Sequence, residues 1–203
     1  MGEVSRDMVT IRLASPADAT ECREIYAPYV RDTTVSFELS TPSDEEFEQR
    51  LAKKRGSYPW LVCVRDGNVV GFSYASQHRG RGAYRWDVES SVYVDDRFHR
   101  AGVASGLYES LFAVLRLQGF YNVYAGTTLP NPASVAFHRA MGFEPVGVYH
   151  DAGYKHGEWR DVQWWQRALQ PHDDDPEPPT PVDDLDDGAL RDAVAAGLDD
   201  VEL

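Results

Sequence analysis

The 203-residue chain has few cysteines and no long apolar run. Its two cysteines, Cys22 and Cys63, cannot staple a disulfide-rich scaffold, and we expect both to be reduced core residues. No stretch of about 18 apolar residues is present, so we expect no membrane-spanning helix and no membrane partner. Residues 1–8 carry no apolar segment of the kind found in secretory signals. These features predict a cytoplasmic protein.

Positive charge is also scarce, with 20 Lys and Arg against 33 Asp and Glu. Most of the excess lies in residues 171–203, which hold twelve acidic side chains and one basic side chain, Arg191. Residues 1–170 are nearly balanced, so a basic nucleic-acid-binding face is not expected. The segment 171–187 also mixes proline with repeated acid. The sequence therefore predicts one domain over 1–170, followed by an acidic, disordered tail over 171–203.

Hydrophobic periodicity predicts the order β-α-α-β-β-β-α-β-α-β-β. This order indicates an α/β (α+β) fold, with a mixed central sheet of six to seven strands and helices on both faces. We expect the second, third and fourth strands to form an antiparallel meander, and the fifth to lie parallel to the fourth. The predicted strands cover 9–13, 60–65, 69–76, 86–94, 120–127, 143–150 and 160–169, with a turn over 153–157 before the last strand.

Residues 86–118 form the most informative stretch. Trp86 to Val94 alternates like a strand, 95–102 is polar, and from Val103 apolar residues recur at helical spacing. The first turn of a helix presents unpaired N–H groups and a positive dipole end, which together favour a phosphate. Gly102 lets the main chain approach such a ligand. Glu89 places a carboxylate inside the apolar part of the strand, beside this phosphate site, so the stretch suggests an enzyme.

Several strings in the chain resemble those of a known family. The loop H-R-A-G-V-A at 99–104 resembles the acetyl-CoA-binding loop Q/R-x-x-G-x-G/A of the GNAT superfamily of N-acetyltransferases, although His99 departs from the Gln or Arg of that pattern. Three further strings resemble the branch that acetylates phosphinothricin and methionine sulfoximine or sulfone: A-Y-R-W-D-V-E-S-S-V-Y-V (83–94), L-P-N-P-A-S-V (129–135) and Y-K-H-G-E-W-R-D-V-Q-W-W-Q (154–166). The resemblance spans 9–169.

The resemblance implies a GNAT fold, acetyl-CoA as co-substrate, a homodimer, and acetyl transfer by direct attack to the primary amine of a small amino-acid-like acceptor. Glu89 is then the base that deprotonates the amine, and its alternative role is a structural salt bridge to Arg81 or Arg85. His138 either protonates the leaving thiolate or only contacts the cofactor. The implied cofactor-binding residues are Val92, Tyr93, Val94, Arg100, Ala101, Gly102, Val103, Ala104, Ser105, Asn131 and Ser134.

The implied acceptor site contains Arg79, Arg81 and Tyr84, because arginine forks bind carboxylate or phosphinate groups. Phe37 is implied as an aromatic wall of this site. The alternatives are a solvated loop for the arginines and core packing for Phe37. No spacing of His and Cys indicates a metal site. Two other functions stay open: acetylation of a peptide or protein N-terminus, and a non-catalytic cofactor-binding protein whose acidic tail recruits a basic partner.

Overall fold

The computed structural model describes residues 9–54 and 56–203. Within them, one mixed sheet contains seven strands in the order β1-β2-β3-β4-β5-β7-β6, which confirms the predicted architecture. The residues 1–8, in which no secretory segment was found, lie outside the described part. The strands are β1 Val9–Leu13, β2 Trp60–Arg65, β3 Asn68–Gln77, β4 Asp87–Val94, β5 Asn122–Thr128, β6 Glu144–Lys155 and β7 Glu158–Ala168. The α-helices are α1 Ala19–Arg31, α2 Asp44–Lys54, α3 Val103–Gln118, α4 Pro132–Ala140 and α5 Asp187–Ala195.

The strand pairing follows the predicted meander. β2, β3 and β4 pair antiparallel in sequence order, and β5 returns parallel to β4 after α3. The connection between β2 and β3 is tight, with Asp66 at φ +50° and Gly67 at φ +83°. β7 pairs with β5, so the β6–β7 hairpin forms the far edge of the sheet.

β6 is longer than the sequence predicted, since it continues to Lys155 through much of the expected turn at 153–157. Lys155 explains the extension, because its side chain is buried and held in place by hydrogen bonds. Its Nζ donates to the carbonyls of Val30 and Ser36, each at 2.6 Å. The turn is therefore confined to His156 and Gly157, at φ +52° and +81°.

Two apolar cores lie on opposite faces of the sheet. α1 and α2 cover one face through residues such as Cys22, Phe47 and Leu51. α3 and α4 cover the other, and Leu107 and Leu111 of α3 are fully buried there. Among the described residues, none of the helices is both apolar enough and long enough to cross a membrane.

The predicted disordered tail is wrong, because residues from 182 onward pack on the domain. α5 lies against α3 and β1, with Val182 and Val194 buried in the α3 core. A Cβ placed on Gly197 would lie 1.9 Å from the carbonyl oxygen of Gly106 in α3, so the two main chains touch. The prediction followed the proline and acid content of this segment. Its apolar residues instead recur often enough to form a buried side, and the acids stay in solvent.

Candidate active site

The central feature of the site is a gap in the sheet between β4 and β5. These strands pair only where Asp87–Glu89 meets Asn122–Tyr124, although β4 continues to Val94 and β5 to Thr128. The strands then separate, so the main chain of β4 beyond Glu89 has no partner strand on that edge. A cavity of about 410 Å³ lies in this gap, and the starts of α3 and α4 close it.

The loop before α3 forms one end of this cavity. Arg100 and Gly102 both have left-handed backbone conformations, with φ +64° and +73°. α3 starts at Val103, and its first intrahelical bond is donated by Gly106 to Gly102 at 2.9 Å. The N–H groups of Val103 to Ser105 therefore have no intrahelical acceptor. Arg100 lines the same end of the cavity, and free N–H groups at a helix start suit an anion.

The structure brings together ten of the eleven predicted cofactor residues. All but Ala101 line the cavity. The Ala101 carbonyl instead accepts a hydrogen bond from the Glu202 N–H at 3.0 Å. Asn131 lines the cavity and also caps α4, because its Oδ1 accepts from the Ser134 N–H at 3.0 Å.

His99, which departs from the family pattern, joins α1 to the end of β4. The Tyr29 hydroxyl donates to the Val94 carbonyl at 2.6 Å, and burial raises the pKa of this phenol, so it keeps its proton. The His99 Nε2 lies 3.0 Å from the same hydroxyl and 3.1 Å from the same carbonyl. The Val94 carbonyl is thus already satisfied. Tyr93 pairs with Phe72 of β3, so Val92 is the strand-end residue whose main chain is best able to bind a ligand in the gap.

Glu89 lies on the opposite face of β4 from Val88 and Ser90, and its carboxylate is 36% exposed. Within the described residues it pairs with neither Arg81 nor Arg85. Its partner is His78, whose Nδ1 lies 2.9 Å from Oε1. The sequence reasoning missed His78, although the meander contained a signal. Ser76 pairs with Glu89 across the two strands, so the residue two positions further along belongs to the same face.

His138 is buried and has a fixed tautomer. Its Nδ1 lies 2.8 Å from the Ser134 carbonyl, which can only accept, so this nitrogen carries the proton. Burial lowers the pKa of the imidazole, and the neutral ring has no proton on Nε2. This geometry favours cofactor contact over protonation of a leaving group.

Tyr108 is a cavity residue that the sequence reasoning did not select. It lies on the buried face of α3, so its spacing indicated only core packing. Its hydroxyl accepts from the Ser90 hydroxyl at 3.3 Å. Burial raises the pKa of this phenol, so it keeps its proton and can donate a hydrogen bond into the cavity.

The predicted acceptor residues lie outside the cavity. Arg79 and Arg81 are exposed in the loop that follows β3, and the Arg79 guanidinium lies 5.9 Å from the centre of the Tyr84 ring. Neither arginine has a carboxylate partner in the described part of the chain. Phe37 does not line the cavity, because its ring packs on the Gly153 main chain, where a Cβ would lie 2.3 Å from a ring carbon. Val35 from the same segment lines the cavity instead.

Comparison with known proteins identifies the family. The model of an acetyltransferase (GNAT) domain matches residues 11–164, which is more than half of the chain. The chain belongs to the GNAT acetyltransferases. Over the described residues of this GNAT protein, no cluster of three or more metal-ligating side chains occurs.

Named relatives fall in the branch that the sequence resembles. A phosphinothricin N-acetyltransferase of Streptomyces viridochromogenes is 41% identical over 177 residues, which cover 87% of this chain and 94% of the relative. An L-methionine sulfoximine/L-methionine sulfone acetyltransferase of Salmonella typhimurium is 30% identical, covering 81% and 96%. A solved phosphinothricin acetyltransferase of Sinorhizobium meliloti in complex with AcCoA aligns with a TM-score of 0.76 at 36% identity, covering 79% and 88%.

In this GNAT chain the C-terminal segment packs against the loop that precedes α3, where Asp200 contacts Gly102. A Cβ on Gly102 would lie 1.7 Å from the Asp200 carbonyl oxygen, so glycine is required there by packing as well as by its φ. The matched region ends at residue 164, and this C-terminal segment therefore lies outside the part that matches the family model.

Proposed function

We propose that this chain transfers acetyl from acetyl-CoA to the primary amine of a small amino-acid-like acceptor of the phosphinothricin or methionine sulfoximine/sulfone type, by direct attack. The observation that carries the proposal is the cavity between β4 and β5, which ends at the free N–H groups of α3 and lies beside the strand that carries Glu89. The names of the relatives support the choice of acceptor.

The cavity has the parts that acetyl-CoA needs. The N–H groups of Val103 to Ser105 and the side chain of Arg100 suit the pyrophosphate. The unpaired edge of β4 at Val92 offers main-chain groups to the pantetheine arm, as an added strand would pair. A main-chain N–H there can stabilise the oxyanion that forms when an amine attacks the thioester. Tyr108 can donate a hydrogen bond to the departing sulfur.

The acceptor enters from the Glu89 side. An amino-acid-like acceptor carries an ammonium group, which must lose a proton before its nitrogen can attack. Glu89 is partly exposed and ionisable, so it can accept that proton directly or through water. Arg79 and Arg81 suit the acidic group of the same acceptor.

Surface and cysteine chemistry support two further proposals, a homodimer and a cytoplasmic location. The β6–β7 hairpin exposes Val146, Tyr149, Tyr154 and Trp159, an apolar surface that a second copy of the chain would cover. Cys22 and Cys63 are free and buried, which suits a reducing compartment.

A CoA-release assay over a panel of amines tests the function. The panel contains phosphinothricin, methionine sulfoximine, methionine sulfone, glutamate and an alanine-terminated peptide. The peptide is included because a solved ribosomal-protein-alanine N-acetyltransferase of Brucella melitensis aligns with a TM-score of 0.75 at 31% identity, covering 78% of this chain and 98% of that one. We expect release with the small acceptors. Release with the peptide alone would move the function to N-terminal acetylation, and no release at all would refute an amine acetyltransferase.

Glu89→Gln tests the base. We expect its affinity for acetyl-CoA to stay unchanged and its kcat/KM at neutral pH to fall about 10²–10⁴-fold, the range typical of a lost general base. Glu48→Gln, an exposed change on α2, is the matched control and should keep wild-type activity. An unchanged rate for Glu89→Gln would remove this residue from the mechanism.

A further inference from the structure

His78 lies immediately after β3, at the entrance to the loop that carries Arg79 and Arg81. Its side chain is only 11% exposed, although the two arginines that follow it are in solvent. The imidazole Nδ1 lies 2.9 Å from Oε1 of Glu89. The most enclosed residue of this loop is therefore in direct contact with the proposed base.

Three aromatic rings hold the imidazole in place. It stacks on Tyr124 with centroids 4.3 Å apart and planes 11° from parallel. The rings of Tyr84 and Trp164 lie edge-on to it, with centroids 6.3 and 6.2 Å from the centroid of the imidazole. The orientation of the ring is thus set by packing as well as by its bond to Glu89. Within the described residues, Nε2 has no hydrogen-bond partner.

Resting on the proposed function of Glu89, we propose that His78 is a positioning residue that aims this carboxylate and couples its basicity to the protonation of the imidazole. Neutral His78 donates its Nδ1–H to Oε1, and Oε2 is left to take the proton from the acceptor ammonium. When Nε2 also gains a proton, the imidazolium pairs with the carboxylate and makes it a weaker base. Turnover then falls when the imidazole becomes protonated.

The charged and titratable neighbours of the pair are few. Arg79 lies over the Tyr84 ring on the loop, and its positive charge opposes protonation of the His78 imidazole. Asp87 on β4 acts in the opposite sense, and both of these charges act on Tyr124, the ring on which His78 stacks. On the other side of Glu89, Tyr74 separates the carboxylate from the Glu38–Arg50 ion pair.

Two substitutions separate the hydrogen bond from the ring. His78→Phe keeps an aromatic ring on Tyr124 and removes the donor. His78→Asn keeps an N–H near the Nδ1 position and removes the titration. We expect kcat/KM for the acceptor to fall about 10-fold or more at pH 7.5 in His78→Phe and less in His78→Asn. In His78→Asn the acid limb of the pH profile should move to lower pH, because the variant has no imidazole to become protonated.

Acetyl-CoA affinity and thermal midpoint are the controls for a purely structural effect. His78 does not line the cavity, so the Kd for acetyl-CoA should be unchanged in both variants. In the Glu89→Gln background, His78→Phe should cause less than about a twofold further loss, because its effect passes through Glu89. Losses that multiply would overturn the inference.

The experiment distinguishes failure of this inference from failure of the proposed function. If Glu89→Gln keeps full activity, the proposed base is wrong and His78 has nothing to position. If Glu89→Gln is slow while both His78 variants keep the wild-type rate and pH profile, the base stands and the role of His78 is refuted.

Discussion

Gly197→Ala tests whether the C-terminal segment packs on α3 in solution. The Cβ of the alanine would lie 1.9, 2.7 and 2.8 Å from the O, C and Cα atoms of Gly106, all of them main-chain atoms. No side-chain rotation can relieve such a contact. The native backbone at Gly197, φ −97° and ψ 7°, is acceptable for alanine, so the substitution acts through the contact alone.

The segment must move by about 1.5 Å to bring the 1.9 Å approach to an ordinary contact near 3.4 Å. That movement weakens the bond from the Gly197 N–H to the Ser110 Oγ, now 3.1 Å, and loosens Val194 in the core. We expect a loss of about 2 kcal/mol of unfolding free energy, the middle of the range for an overpacked core. In a chain of this size the thermal midpoint should fall by about 4–8 °C.

Thermal and urea unfolding of Gly197→Ala measure the effect, and Gly147→Ala is the control. Gly147 lies in β6 with open space around its missing Cβ and an ordinary φ, so its change should stay within about 0.5 kcal/mol. If Gly197→Ala unfolds at the wild-type midpoint, α5 and the residues that follow it are not docked on α3 as described.

Two further changes probe a buried carboxylate and the buried histidine. Burial alone would raise the pKa of Asp18, but hydrogen bonds from Arg12 and Ser15 outweigh it and hold that pKa below its ordinary value. The stabilisation is therefore present above about pH 4 and is lost as the pH falls further. In urea unfolding at pH 7, Asp18→Asn should cost about 2 kcal/mol of unfolding free energy, and its difference from wild type should shrink in acid. A difference that does not depend on pH would contradict this. His138→Gln should raise the KM for acetyl-CoA but leave the alkaline limb of the kcat–pH profile in place, because the native ring is neutral at pH 7. Loss of that limb in the variant would make His138 the proton donor.

Much of the fold followed from local signals. The spacing of Val103, Leu107 and Leu111 predicted α3, which starts directly after Gly102 as the sequence indicated. Such signals depend on residues close in sequence. The meander β2–β4 and the parallel pairing of β5 with β4 then follow from general rules of chain connection. The predicted cofactor-binding residues were found for the same reason, since they belong to three short strings, and ten of them line the cavity.

The errors concern contacts between residues distant in sequence. Lys155 extends β6 because it bonds the carbonyl of Val30, which is distant in sequence. Phe37 likewise packs on Gly153. His78 lies in a polar loop, and only the strand register showed that it is next to Glu89. The C-terminal segment was judged by its average composition, whereas docking depends on the few apolar side chains that meet α3. None of these partners can be chosen from local pattern alone.

The separation of β4 and β5 has a mechanical consequence. The sheet consists of a four-stranded half, β1–β4, and a three-stranded half, β5–β7, and only three residue pairs join them along the strands. This boundary has the fewest paired residues in the sheet. Side-chain contacts also link the halves, among them the packing of α3 and the stacking of His78 on Tyr124. A co-substrate lying in the gap would supply the hydrogen-bonded rung that the strands lack. It would therefore brace the two halves against each other while it delivers the acetyl group.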